Sequence, residues 1–198
     1  MTAEELLAKY AAGEREFPNA DLYGATLNTA NLDNANLSGA NLSGANLSMA
    51  VLKGANLSGA SLNGADLELA NLSGANLSGA NLGEANLRGA DLRGADISRG
   101  CLTRGNLRKA NLSGASLESA DLIGIDLRYT NLKSTNLRGV NLDGADLLRA
   151  DLRGADLREA NLSGADLREA NLSGVDLRET NLSEADLREA NLEGAMGV

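Results

Sequence analysis

Acid–base chemistry in this chain would fall to carboxylates, because it contains 27 acidic residues and no histidine. A His-dependent triad or zinc site is thereby excluded. The carboxylates recur at regular surface intervals, with no sign of a pocket that would shift one of them into a catalytic range. Glycines also recur, but no phosphate-binding GxGxxG sits between a strand and a helix. The one thiol, Cys101, lies near Arg104 and faces outward on the reading below. It is a candidate nucleophile, although a tolerated surface residue is the plainer reading. No cofactor or metal is expected. The remaining candidate is a basic cluster, Arg99, Arg104, Arg108 and Lys109, with Tyr129 one interval further on.

What positions these residues is a repeat of five. From Leu22 to Leu192 every fifth residue is Leu except Ile97, and Phe17 extends the register to 36 positions. Two residues before each Leu stands a small residue, usually Ala. The exceptions are Gly100, Gly105, Ile125, Thr130, Thr135, Val140, Val175 and Thr180. Asn or Asp commonly fills the place between. No insertion interrupts the pattern.

Period five suits neither regular element. On a helix it smears the leucines around the axis at about 140° per step. On a continuous strand an odd period sends successive leucines to opposite faces. A third geometry works. Three extended residues point the small side chain and Leu to one side, and the next two turn a corner. Repetition with one hand winds a coil filled by Leu and Ala. The second residue after Leu is Gly at 18 of 36 positions. The other half include Met49, Leu69, Tyr129 and several Glu, which predicts at least two turn types, with positive φ at only some corners.

Residues 2–13 read as a short helix. Thr2 and Glu5 form a capping box, Leu6, Leu7 and Tyr10 share one face, and Gly13 is a natural stop. The expected division is a capping helix over 1–14, the repeat array over 15–195 and a tail over 196–198. There is no basic, apolar leader and no run of transmembrane length. With one cysteine, these features predict a cytoplasmic protein.

The run of A(D/N)LXX units resembles the pentapeptide repeat family over roughly Arg15 to Ala195, and the N-terminal helix followed by AAGEREF resembles cyanobacterial members. The resemblance implies an all-β solenoid: a right-handed quadrilateral parallel β-helix with four repeats per coil and an N-terminal α-helical cap. Thirty-six repeats then make nine coils, about 43 Å long at ~4.8 Å per strand. Residues twenty apart stack, so Gly105 shares a column with the oversized Ile125.

Counting modulo twenty sorts the surface into four faces, named here by their first apolar residue. The Leu22 face carries one basic and five acidic residues, the Leu27 face seven and eight, the Leu32 face four and four, and the Phe17 face, from Glu16 onward, four and seven. On the Leu27 face Arg88, Arg108, Arg128, Arg168 and Arg188 form a column beside Asp126, Asp146, Asp166 and Asp186. A self-compensating solvated surface explains this simply; a docking stripe for a partner protein is the functional alternative. Asn columns such as Asn141, Asn161 and Asn181 are read as side-chain ladders, with Asp at the same place doing likewise.

A net charge of −9 disfavours direct binding of nucleic acid or an anionic membrane. It leaves open a surface that resembles nucleic acid. The expected function is a non-enzymatic scaffold for an unknown protein partner. The least regular stretch, 97–140, and its basic cluster supply the candidate site. The alternative, implied by the family, is DNA mimicry directed at DNA gyrase or topoisomerase. The last coil has no evident cap beyond Met196 and Val198, which predicts weak end-to-end homodimerisation there.

Overall fold

The computed structural model describes residues 1–197. Its one helix, α1 (Ala3–Ala11), begins at the expected capping box. The Glu5 N–H donates to Thr2 Oγ1 at 3.1 Å, and the Thr2 N–H donates to Glu5 Oε2 at 2.9 Å. Leu6 is fully buried against the first coil, and Leu7 and Tyr10 pack partly on it. The helix also closes free backbone acceptors. The Tyr10 hydroxyl donates to the Asp33 carbonyl at 3.0 Å, and the N-terminal ammonium to the Asp21 carbonyl at 3.3 Å. Arg15 lies 3.8 Å over the Tyr10 ring and donates to the Tyr10 carbonyl, which fixes the exit from the helix.

From Glu16 on, the backbone makes one kind of contact. Parallel bridge pairs run from Glu16–Asn36 to Asp176–Met196, all twenty residues apart and without a gap. Four repeats therefore make one turn. The register cannot slip by one unit without misplacing every column.

One repeat shows why the five positions differ. The Asn41 N–H reaches back to the Ala20 carbonyl at 2.9 Å, and the Leu42 N–H reaches forward to Ser61 at 2.7 Å. The Gly44 N–H also reaches forward, to Asn63 at 2.9 Å, and the Ala45 N–H closes the turn on the Leu42 carbonyl at 3.0 Å. The Ser43 N–H alone has no backbone acceptor, and Asn41 Oδ1 takes it at 3.2 Å. The Asn/Asp position is thus an internal cap that leaves no amide orphaned. Where Val51 lacks such an oxygen, Asp33 of the preceding coil takes the Lys53 N–H at 3.2 Å.

The corners correct the sequence reading. All 36 second residues after Leu have positive φ, between 54° and 71°, glycine or not. With the Leu carbonyl accepting from the third residue on, each corner has the pattern of a type II turn. One turn type suffices because the left-handed residue aims its own N–H along the axis to the next coil. That inter-coil bond holds 14 of the 18 side-chain-bearing corners in a conformation glycine would take more easily, and Glu159, Glu179, Glu184 and Glu189 keep it without such a bond among the described residues.

The interior is Leu and Ala. Every repeat Leu from Leu22 to Leu177, with Ile97, is at most 2% exposed, each contributing on the order of 2 kcal/mol. Thr130 and Thr135 enter the core with their hydroxyls donating to the Leu107 and Leu112 carbonyls, both at 3.0 Å. Gly105 does share its column with Ile125, since the Asp126 N–H donates to the Gly105 carbonyl at 3.0 Å. The atoms nearest a side chain added at Gly105, however, are carbonyl oxygens of Leu102, Ala85 and Leu82 rather than Ile125. At the far end Leu182, Leu187 and Leu192 are only partly buried. Met196 continues the Asp176 column and is 48% exposed, so its side chain does not close the end. Val198 lies outside the described residues.

Candidate interaction surface

The Asn ladders form as expected. Asn161 Nδ2 donates to Asn141 Oδ1 at 3.0 Å, and Asn181 Nδ2 to Asn161 Oδ1 at 2.9 Å. Asp departs from that expectation. It caps the amide two residues on, and it can accept from an Asn of the following coil, as Asp66 does from Asn86 Nδ2 at 3.0 Å, but it has no N–H to donate to the preceding coil. Arginine substitutes.

In all seven Asp-Leu-Arg units the guanidinium folds back onto its own carboxylate, as Arg168 Nε does to Asp166 Oδ1 at 2.8 Å and Nη2 to Oδ2 at 2.6 Å. In the three Asn-Leu-Arg units no such carboxylate exists. There Arg88 turns to Glu68 at 2.7 Å, Arg138 to Glu159 at 2.5 Å, and Arg108 to the Tyr129 ring at 5.5 Å. The residue type two places before each arginine sorts its partner, which accounts for the alternating columns on the Leu27 face.

The clamps hold their carboxyls low. Asp176 is lowered to about 2 by the Arg178 side chain and then by the Arg178 N–H, and Asp186 to about 2 by the same pair of groups on Arg188.

Six lysines and arginines have no carboxylate within 4.0 Å among the described residues, and Arg99, Arg104, Arg108 and Lys109 are four of them. The structure does not gather all four. Arg99 stands on the edge that follows the Phe17 face, beside a shallow polar recess lined by Ser98, Glu118 and Ser119. Arg104 stands on the next edge, leaning over Gly124. Arg108 and Lys109 share the edge after the Leu27 face with Tyr129. There the ring lies between two guanidiniums, Arg108 at 5.5 Å and Arg149 at 5.8 Å, within cation–π range. Arg108 Nε has no hydrogen-bond partner. Cys101 is half-buried in the Asn/Asp column, with Sγ 3.4 Å from Thr103 Oγ1. It occupies a structural position rather than an open one. No group of three or more metal-ligating side chains occurs among the described residues.

Sequence reasoning missed Met49 and Leu69 as members of this edge. Both are more than half exposed, at 57% and 55%, and both stand in the Tyr129 column. Sorting the corner residues by edge, as the faces were sorted, would have found them.

A filled coil of this kind, stacked every twenty residues, defines a quadrilateral β-solenoid. The chain belongs to the pentapeptide repeat family: the family model for pentapeptide repeats matches residues 30–68, 70–108, 106–144, 135–174 and 165–196. Its fold is the right-handed quadrilateral β-helix, capped by α1. Among solved structures it is similar to HetL, a pentapeptide repeat protein involved in heterocyst differentiation regulation from the cyanobacterium Nostoc sp. strain PCC 7120. Identity is 38%, over 98% of this chain and 94% of HetL, with a TM-score of 0.66. QnrB1, a plasmid-mediated fluoroquinolone resistance protein, shares the fold at 23% identity, over 91% and 90% of the two chains, with a TM-score of 0.62. No match was found among curated proteins.

Proposed function

We propose that the protein is a non-enzymatic, cytoplasmic scaffold that binds a protein partner through the cations of 99–109 and Tyr129. The carrying observation is that four of the six cations without a carboxylate among the described residues fall in eleven consecutive residues, while twelve of the other fourteen lysines and arginines are paired with one. A cation left without a carboxylate is available to an outside group. The similarity to HetL supports a regulatory role. The test is a pull-down from host extract with the wild type and with Arg99, Arg104, Arg108 and Lys109 all replaced by Ser. A partner kept by the first and lost by the second, at equal melting temperature, is expected. Equal retention overturns the assignment.

DNA mimicry toward gyrase or topoisomerase is the alternative. The net charge of −9 favours it. The seven Asp–Arg clamps weigh against it, because a phosphate-like column needs unneutralised anions. Inhibition of gyrase supercoiling, or protection from quinolones, would reverse this preference.

For the far end we propose weak pairing of two copies. The Leu182, Leu187 and Leu192 amides have no acceptor among the described residues, and a second end would cover that layer. A monomeric mass in light scattering at high concentration would remove the proposal.

A further inference from the structure

The four edges of the rod are not equally furnished. The edge after the Leu27 face has glycine at only one of nine corner positions, against six, seven and four on the other three. Every corner is left-handed, so a side chain there carries backbone strain. At the left-handed corner position the apolar and aromatic residues are Met49, Leu69 and Tyr129, and all three stand on this edge, whereas Tyr23 and Ile123, exposed at the position before it, stand on the Leu22 face. Single exposed apolar residues need no explanation. Three that share one edge out of four, each strained and each 40% to 57% exposed, are a different observation. The one glycine extends the pattern, because Leu69 Cδ2 lies over Gly89, 2.8 Å from where a Cβ would stand.

The edge is also polarised. Met49 and Leu69 are consecutive along the axis. Beyond Gly89 come Arg108 and Lys109, without carboxylates, and then Tyr129 between its two guanidiniums. Arg88 and Arg149 on the same edge are already bound to Glu68 and Glu169, at 2.7 and 2.6 Å.

We propose that this edge is a docking ridge for a partner protein with a concave, acid-lined apolar groove. A convex edge requires a concave partner. Met49 and Leu69 would enter apolar pockets at one end. Carboxylates would face Arg108 and Lys109 about two coils further on, roughly 10 Å at the strand spacing. The asymmetry allows one orientation only. The two open cations select against a basic or neutral groove, and the acidic excess of the Leu22 and Phe17 faces disfavours an acidic partner there. The inference rests on the scaffold reading and narrows it, since Arg99 and Arg104 lie on other edges and take no part.

The test is site-specific photocrosslinking in host extract, with p-benzoylphenylalanine placed in the full chain at position 49, 69 or 129. Control placements at 84, 119 and 134 are left-handed corners on the other three edges. Expected is one protein crosslinked from all three ridge positions, through a segment containing Asp or Glu. Read from position 129, its yield falls at least ten-fold in Arg108→Ser/Lys109→Ser and in Met49→Gly/Leu69→Gly, and stays unchanged in Arg99→Ser/Arg104→Ser. The glycine variant also guards against misfolding, since it relieves strain and should melt no lower than wild type. Crosslinking from the control edges alone overturns the ridge and leaves the scaffold reading intact. Crosslinking from no edge overturns both. A crosslinked segment without carboxylates, or a yield indifferent to both ridge variants, overturns the ridge.

Discussion

Asp151 and Arg153 hold one another by two parallel hydrogen bonds, Nε to Oδ1 at 2.9 Å and Nη2 to Oδ2 at 2.8 Å. Lys133, one coil before, adds a contact at 3.2 Å. The Arg153 side chain is the main cause holding the Asp151 carboxyl at about 2. Partial burial opposes it, and Lys133 and the Arg153 N–H assist.

A pH dependence follows. An Asp lowered on folding, from an ordinary value near ~3.9, adds stability that is complete above that value. The contribution is lost as pH falls through about 2. Asp151, Asp176 and Asp186 share this direction. The melting temperature should therefore hold from neutrality to about pH 4 and fall between about 4 and 2. Carboxyl carbon shifts followed by NMR should place these three midpoints near 2. Arg153→Ser should move Asp151 part of the way back, with Lys133 keeping it low. An unmoved Asp151 would show that the clamp does not form in solution.

The core should respond by position along the rod. Leu112 is fully buried, and Leu112→Ala should cost about 2–5 kcal/mol in denaturant unfolding. Leu192, partly exposed in the last coil, should cost less than half as much. Leu112→Arg should disrupt the rod. Wild-type melting of Leu112→Ala would refute the inward assignment.

Corner strain gives opposite signs for opposite exchanges. Gly74 has φ +65° with open space around it, so Gly74→Ala should cost about 1 kcal/mol through backbone conformation alone. Glu84, at φ 57° and without an ion pair among the described residues, should gain up to about 1 kcal/mol as Gly. Chemical denaturation of the pair checks both. A destabilised Glu84→Gly would mean that unfolded-state entropy outweighs the strain.

Thr130→Val tests the buried hydroxyls. The Leu107 carbonyl also accepts the Ala110 N–H at 2.9 Å. Removing the Thr130 donor thus leaves no orphaned acceptor, and the cost should stay below about 1 kcal/mol. Asn161→Leu should cost more, because it frees the Ser163 N–H held at 3.2 Å and cuts the ladder on both sides. Equal losses in thermal melts would contradict this account.

The fold was legible because Leu, the small residue and Asn or Asp each answer one geometric demand. Thr2 and Glu5 announced the helix start in the same way. The uniform corner was not legible. Met49 or Glu84 in a left-handed turn looks wrong locally, and the inter-coil N–H bond that compensates it joins residues nineteen apart. The candidate site was legible in composition and not in place. Arg99 to Lys109 are neighbours in sequence, yet the coil turns a corner every five residues and spreads them over three edges. Met49 and Leu69 stand out in the sequence only as corners without glycine, and their shared edge emerges once corners are sorted by twenty.

The twenty-residue stacking gives this protein a phase. Deleting or duplicating five residues leaves every Leu inward and each Asn or Asp cap within its own repeat, so the rod should still fold. All columns beyond that point, however, would be handed to the adjacent face. Tyr129 would part from Arg108, and Met49 would no longer align with Lys109. Only changes of twenty keep both the fold and its markings. The coil thus tolerates length variation at one interval and its surface at another, and a lineage that keeps the surface can grow or shrink only by whole turns.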